Sequence, residues 1–177
     1  MKIDRTFIFC ILFIFLNVQS TKIRKSLIDL NTYEYNTLPN GMKIITISNP
    51  KADIAGCSMT VGVGSQNDLI DTPGIAHFLE HMLFMGTKEY PDETEFTKYI
   101  EDHNGSYNAA TSDEHTVFYY SINPKHLEDS LKRFSSFFKY PLLKEDSIKR
   151  EILAVDSEYQ MKLKNDDRRI YQMINNC

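Results

Sequence analysis

The sequence predicts an α+β domain in which an antiparallel-rich sheet packs on helices. The stretch "IAGCSMTVGVGS" at positions 54 to 65 alternates apolar with mostly small or polar residues, which is typical of a strand with one buried face. Two later stretches, beginning near Pro124 and Ser147, place apolar residues three and four apart, which is typical of helices. Strands and helices mixed in this order favour the α+β class.

The first half of the chain is expected to begin the sheet and then to form a helix. A Pro-Asn-Gly turn in "LPNGMKIITISNP" precedes a strand-like run from Met42 to Ser48, and the alternating strand follows it. The polar stretch 65 to 71 is expected to be a loop. Thr72 and Pro73 then favour the start of a helix, and Gly86 favours its end.

The second half is expected to add three helices and two strands. A helix fits from Pro91 to about His103, with Phe96 and Ile100 on one side. The stretch "SYNAATSDEHTVFYYSIN" predicts two strands around a polar turn at positions 112 to 114. Another helix is expected from Pro124, and one long helix from about 147 to 175.

Composition is that of one globular domain with a real core. The chain has 177 residues, of which 42% are hydrophobic and 25% charged, and its net charge is −4. This charge, with no run of Lys and Arg interleaved with aromatic residues, argues against a nucleic-acid-binding protein.

The first twenty residues predict a secretory signal peptide, and hence a secreted chain from residue 21 to 177. A short basic start precedes the apolar run from Phe7 to Leu16, and Val18 and Ser20 suit a cleavage point before Thr21. A ten-residue run is too short to span a bilayer comfortably, and no other stretch predicts a stable membrane span. After cleavage, Cys57 and Cys177 remain, and one pair does not make a disulfide framework.

The segment "HFLEHMLFMG" at positions 77 to 86 places three polar residues in an apolar helix. His77 and His81 are four apart, so both can face one metal ion, and Glu80 lies beside them. Zinc held by two imidazoles and a third protein ligand keeps one position open, where a carboxylate can take the proton of a bound water. The alternative without a function is a core helix in which the histidines are incidental. Three polar residues on one apolar helix, however, need a common partner.

The third ligand is expected to be an acidic side chain from another element. Glu151 and Glu158 are seven apart in "REILAVDSEYQ", on the same side of the last predicted helix. From the pattern alone, Asp156, Glu114 and His115 remain candidates as well.

Three segments resemble the insulysin/pitrilysin family of zinc metallopeptidases, the insulysin-like branch most of all. They are "GIAHFLEHMLFMGTKEYPDETEF", "NGSYNAATSDEHTVFYYSI" and "KREILAVDSEYQ", and the resemblance runs from about Leu38 to Met173. It implies a zinc-dependent metalloendopeptidase, with one zinc ion per chain, that cuts short peptides. The residues it implies are His77, His81 and Glu158 as zinc ligands, Glu80 as catalytic base, Glu151 as a supporting acid, and Asn108 and Ala109 beside the peptide substrate.

The resemblance also implies a functional protein that is longer than this chain. Members continue past the point that matches Met173, so a truncated N-terminal catalytic domain, incomplete at its C-terminus, is expected. A missing C-terminal half or a partner chain would then close over the peptide. The alternative is a non-catalytic or partner-dependent domain of the same family.

A different enzyme class shares the H-x-x-E-H motif. S-ribosylhomocysteine lyase is similar in length and uses a cysteine as its third metal ligand. The only cysteine downstream of the motif here is Cys177 at the end of the chain, and a secretory signal does not suit a cytosolic metabolic enzyme.

Overall fold

A computed structural model describes residues 23–175, and the chain divides into two compact units after Lys51. The predicted signal peptide, residues 1–20, lies outside the described residues. Cys177, which a secreted context would permit to form a disulfide with Cys57, lies outside them too. Among the helices that the structure describes, none combines the length and apolar character needed to cross a membrane.

The first unit contains an antiparallel pair of strands, β1 (Thr32–Thr37) and β2 (Lys43–Ser48). The predicted second strand is thereby confirmed. The turn between them has Gly41 at φ 84°, a left-handed conformation that glycine adopts without strain. Strand β1 was not predicted, although its residues "TYEYNT" alternate aromatic with polar side chains.

The second unit contains a three-stranded antiparallel sheet, as predicted. Its strands are β3 (Ala55–Val61), β4 (Ser106–Thr111) and β5 (Thr116–Ile122), in the order β3-β5-β4. Strands β4 and β5 are joined by the polar turn predicted from the sequence, where Ser112 N–H donates to the His115 carbonyl. This order leaves β4 at one edge of the sheet.

Within residues 23–175, five helices accompany the sheet. They are α1 (Ile75–Leu83), α2 (Glu95–Asp102), α3 (Leu127–Lys139), α4 (Glu145–Lys162) and α5 (Asp166–Asn175), with short 3-10 turns at Ser65–Asn67 and Pro124–His126. Mixed helix and antiparallel sheet confirm the α+β prediction.

Helix α1 begins later than predicted. Its N-cap is Gly74 at φ 91°, rather than Thr72. The carboxylate of Asp68 reaches back and accepts hydrogen bonds from the N–H groups of Gly74 and Ala76, at 2.7 and 2.9 Å. A distant carboxylate therefore satisfies the free donors of the first turn, which the local Thr-Pro signal could not reveal.

The prediction of one long helix from 147 to 175 is wrong, because the helix ends at Lys162 and α5 begins at Asp166. Leu163 is the one apolar residue in the polar run from Lys162 to Asp167, so the apolar face of a single helix would be interrupted there. Acidic residues at the start of α5 also favour a new N-terminus there, since they complement the helix dipole.

An aromatic core holds these elements together. Phe96, Phe118, Phe134 and Phe137 are each at most 4% exposed. Phe84 joins them at the C-terminus of α1, with its ring centroid 5.2 Å from that of Phe137. This core anchors the end of α1, and the helix also packs against β4 and α4.

Candidate metal centre and active site

Helix α1 buries the apolar residues at its C-terminal end and brings two imidazoles together. Met82 and Leu83 are 1% and 8% exposed, whereas the side chains of His77 and His81 are 27% and 28% exposed. One helical turn separates the two rings, whose centroids are 4.8 Å apart and whose planes are nearly perpendicular.

Glu158 of α4 meets both histidines. Its Oε2 lies 3.3 Å from His77 Nε2 and 4.0 Å from His81 Nε2, and one ligand atom from each of the three residues lies within 4.8 Å of the others. Ligand atoms around a tetrahedral zinc are about 3.3–3.4 Å apart when each metal–ligand bond is about 2.0–2.1 Å. Two imidazoles and a carboxylate in this arrangement therefore fit a zinc ion after small side-chain adjustments.

Burial around His77, and a hydrogen bond and positive charges around Glu158, favour the protonation states that bind a metal. Burial lowers the pKa of His77 and outweighs the nearby carboxylates of Glu80 and Glu158, which act to raise it. Burial acts to raise the pKa of Glu158, but the hydrogen bond from Lys162 Nζ and the positive charges around it leave that pKa below its usual value. A neutral imidazole and an ionised carboxylate are the metal-binding forms.

Glu151 contacts the opposite side of the His81 ring. Its Oε2 lies 3.1 Å from His81 Nδ1. Glu151 is on α4, seven residues before Glu158. When the neutral ring donates from Nδ1, the lone pair is on Nε2, the nitrogen that faces Glu158. A hydrogen bond from Nδ1 to Glu151 would thus leave Nε2 of His81 as the acceptor, and Glu151 lies outside the three grouped side chains.

Glu80 is buried beside this group. It is 8% exposed, and its Oε2 accepts a hydrogen bond from Thr111 Oγ1 of β4 at 2.5 Å. Sequence reasoning missed Thr111. The sequence signal that could have found it is the alternation along β4, which puts Thr111 on the same partly buried side as Tyr107 and Ala109.

The predicted substrate residues lie on the same strand. Asn108 is exposed on β4, and its Oδ1 accepts a hydrogen bond from the N–H of Ala109 at 2.9 Å. Ala109 is paired with Phe118 of β5, so its strand has a neighbour on one side only within the described sheet.

The other candidate ligands are not brought to this group. Within residues 23–175, His77, His81 and Glu158 form the one cluster of three or more metal-ligating side chains. His115 hydrogen-bonds Ser112 in the β4–β5 turn, Glu114 is exposed in the same turn, and Asp156 is exposed on α4.

Comparison with known proteins identifies the family. The model of "Insulinase (Peptidase family M16)" matches residues 43–176. The chain is 44% identical over 146 residues to the A-factor-processing enzyme of Saccharomyces cerevisiae, covering 82% of this chain and 14% of the relative. It is 43% identical over 152 residues to the insulin-degrading enzyme of Mus musculus, covering 86% of this chain and 15% of the relative.

Among solved structures, the chain resembles pitrilysin with a TM-score of 0.76 at 36% sequence identity, covering 81% of this chain and 16% of that one. The chain thus spans about one seventh of the length of the curated relatives it matches. The family match also displaces the S-ribosylhomocysteine lyase alternative. With the family model covering most of the chain and relatives above 40% identity, this protein belongs to the insulinase family of metallopeptidases, peptidase family M16.

Proposed function

We propose that this chain supplies the zinc-binding and acid–base groups of a metalloendopeptidase that hydrolyses short peptides. The observation that carries the proposal is the convergence of His77, His81 and Glu158 next to the buried carboxylate of Glu80. One zinc ion per chain fits this donor set, as argued from the distances above.

The division of labour among the side chains follows from their positions. His77, His81 and Glu158 would hold the zinc, which when bound lowers the pKa of water and polarises the peptide carbonyl. Glu80 accepts the proton of the attacking water and returns it to the nitrogen of the leaving amine. Glu151 keeps His81 in the tautomer that offers Nε2.

We propose that the peptide binds along β4. An edge strand presents unpaired backbone donors and acceptors, so an extended peptide can add to it as a further strand. Asn108 and Ala109 lie on β4, on the strand that also supplies the hydrogen bond to Glu80. Recognition through backbone hydrogen bonds suits a peptidase with a loose sequence preference.

We further propose that hydrolysis uses more than the described residues. The curated relatives are much longer than this chain, which covers 14% and 15% of the two named above. A C-terminal half or a partner chain would enclose the peptide over β4. The alternative is that the same residues form a metal-binding domain that is not catalytic by itself.

The predicted signal peptide leads us to propose that the protein enters the secretory pathway. The basic start and the apolar run from Phe7 to Leu16 support this proposal. N-terminal sequencing of protein from the producing cells tests it: a chain beginning at Thr21 supports export, and one that keeps residues 1–20 contradicts it.

Zinc dependence is the test of the proposed function. We expect the chain, alone or with a supplied C-terminal half of a relative, to cleave an internally quenched peptide. A chelator should abolish cleavage, and added zinc should restore it, because the carbonyl and water are activated at the metal. Zinc binding without cleavage in either setting would support the non-catalytic alternative, and cleavage that resists chelation would contradict the proposal.

A further inference from the structure

One hydroxyl donates a hydrogen bond to the Glu80 carboxylate. Thr111 Oγ1 donates to Glu80 Oε2 at 2.5 Å, and Glu80 is 8% exposed. Among the described side chains, Thr111 is the one that donates a hydrogen bond to the Glu80 carboxylate. A largely desolvated carboxylate is held most strongly by such a charge-assisted bond, so its donor fixes which oxygen faces which way.

A cross-strand pair places Thr111 in the sheet. Thr111 and Thr116 are directly opposite in the β4–β5 register, and their Oγ1 atoms are 3.4 Å apart. Thr116 is 6% exposed and donates its proton to the carbonyl of Val63 at 2.9 Å. Thr116 directs its proton to Val63, so the Thr111 proton can go to Thr116 Oγ1 or to Glu80, and it goes to Glu80 because that oxygen is closer and charged.

The position of this pair explains why it acts on α1. Thr111 is the last residue of β4, and α1 packs against that strand. Thr116 is the first residue of β5, so both hydroxyls are held in backbone that is paired across the sheet. A donor on a rigid strand keeps its acceptor in place better than one on a loop.

We propose that Thr111 is the positioning residue for the general base, an inference that rests on the proposed function. Thr111 holds Oε2 of Glu80, which leaves Oε1 as the oxygen that takes the proton of the attacking water. As the water oxygen bonds to the peptide carbon and the C–N bond breaks, that proton passes from Oε1 to the amine nitrogen. Glu80 ends the cycle ionised, and Thr111 keeps its own proton throughout.

Replacing the hydroxyl at nearly constant volume tests this role. We expect Thr111→Val to lower kcat by roughly 10- to 100-fold, the cost of a misplaced catalytic group, with KM changed less than about twofold. Zinc affinity should stay as in the unaltered chain, since Thr111 touches none of the three grouped side chains. Thr111→Ser, which keeps the donor, should return kcat to within about threefold.

A matched control and a second measurement separate positioning from folding. Thr60→Val alters an exposed threonine of β3 and should leave kcat unchanged. Urea unfolding of Thr111→Val, Glu80→Met and the double variant should give shifts in midpoint that are not additive, because the two side chains share one bond. This cycle reports on the bond whether or not the chain hydrolyses peptide.

The failures of the two proposals are distinguishable. An unchanged kcat in Thr111→Val, no rescue by serine, or additive unfolding shifts would overturn the inference while hydrolysis by the unaltered chain stands. If the unaltered chain cleaves peptide and Glu80→Gln cleaves it equally well, the proposed function itself fails. If no cleavage occurs at all, the unfolding cycle alone decides the inference, and additive shifts reject it.

Discussion

The Glu80→Gln variant is expected to lose peptide hydrolysis by roughly 10²- to 10⁴-fold while it still binds zinc. Glutamine matches the shape of glutamate and still accepts the hydrogen bond from Thr111, but it cannot take a proton from water. Glu80 is also outside the cluster of three metal-ligating side chains, so the metal site is retained. Hydrolysis of a quenched peptide and zinc content per chain are the two measurements.

Glu114→Gln is the matched control for this variant. Glu114 is an acidic residue of the same compact unit, exposed in the β4–β5 turn and outside the group of three metal-ligating side chains. Its replacement should change neither hydrolysis nor zinc content. Unchanged hydrolysis in Glu80→Gln would remove the base from the proposed reaction, and loss of zinc in that variant would instead make Glu80 a ligand.

The Glu158→Gln variant is expected to bind zinc about 10²- to 10³-fold more weakly, because a binding free energy of about 10–16 kcal/mol is shared among roughly four ligands. Glu158 Oε2 lies 3.3 Å from His77 Nε2, and the amide that replaces it is neutral and a poorer metal ligand. The pKa of Glu158 is held below its usual value, so the native ligand is ionised at neutral pH. Competition with a chromophoric zinc chelator measures the affinity.

Glu151→Gln provides the comparison on the same helix. Glu151 touches His81 Nδ1 and not the metal-facing nitrogens, so its replacement should weaken zinc binding by only about tenfold, near the low end for residues that orient a ligand. An equal loss in both variants would contradict the assignment of Glu158 as ligand and Glu151 as its support. A larger loss in Glu151→Gln would exchange the two roles.

Much of the site could be predicted because its parts obey local rules. The i, i+4 spacing of His77 and His81 puts them on one face of any helix, and the family resemblance then singled out Glu158. Which of the acidic residues on α4 meets His77 depends on how α4 packs against α1. That packing depends on tertiary contacts, so the pattern alone left Asp156 of α4 open, and it left Glu114 and His115 open because the position of their turn relative to α1 is tertiary as well.

Two of the differences from prediction come from contacts between residues that are apart in sequence. Helix α1 has Gly74 as its N-cap and Asp68 accepts hydrogen bonds at its N-terminus, which no local signal at Thr72 shows. Thr111 meets Glu80 across 31 positions of sequence. The C-terminal segment, by contrast, is divided into α4 and α5 at a local signal, the polar run after Lys162, although helical spacing of apolar residues continues on both sides of it.

Zinc K-edge X-ray absorption on the zinc-loaded chain tests the central claim most directly. The three-residue site predicts a spectrum of two imidazole nitrogens with one or two oxygens at about 2.0–2.1 Å. The imidazole features should disappear in the His77→Ala/His81→Ala double variant. A first coordination sphere of oxygen alone, a sulfur at about 2.3 Å, or an unchanged spectrum in the double variant would contradict a zinc site built from His77, His81 and Glu158.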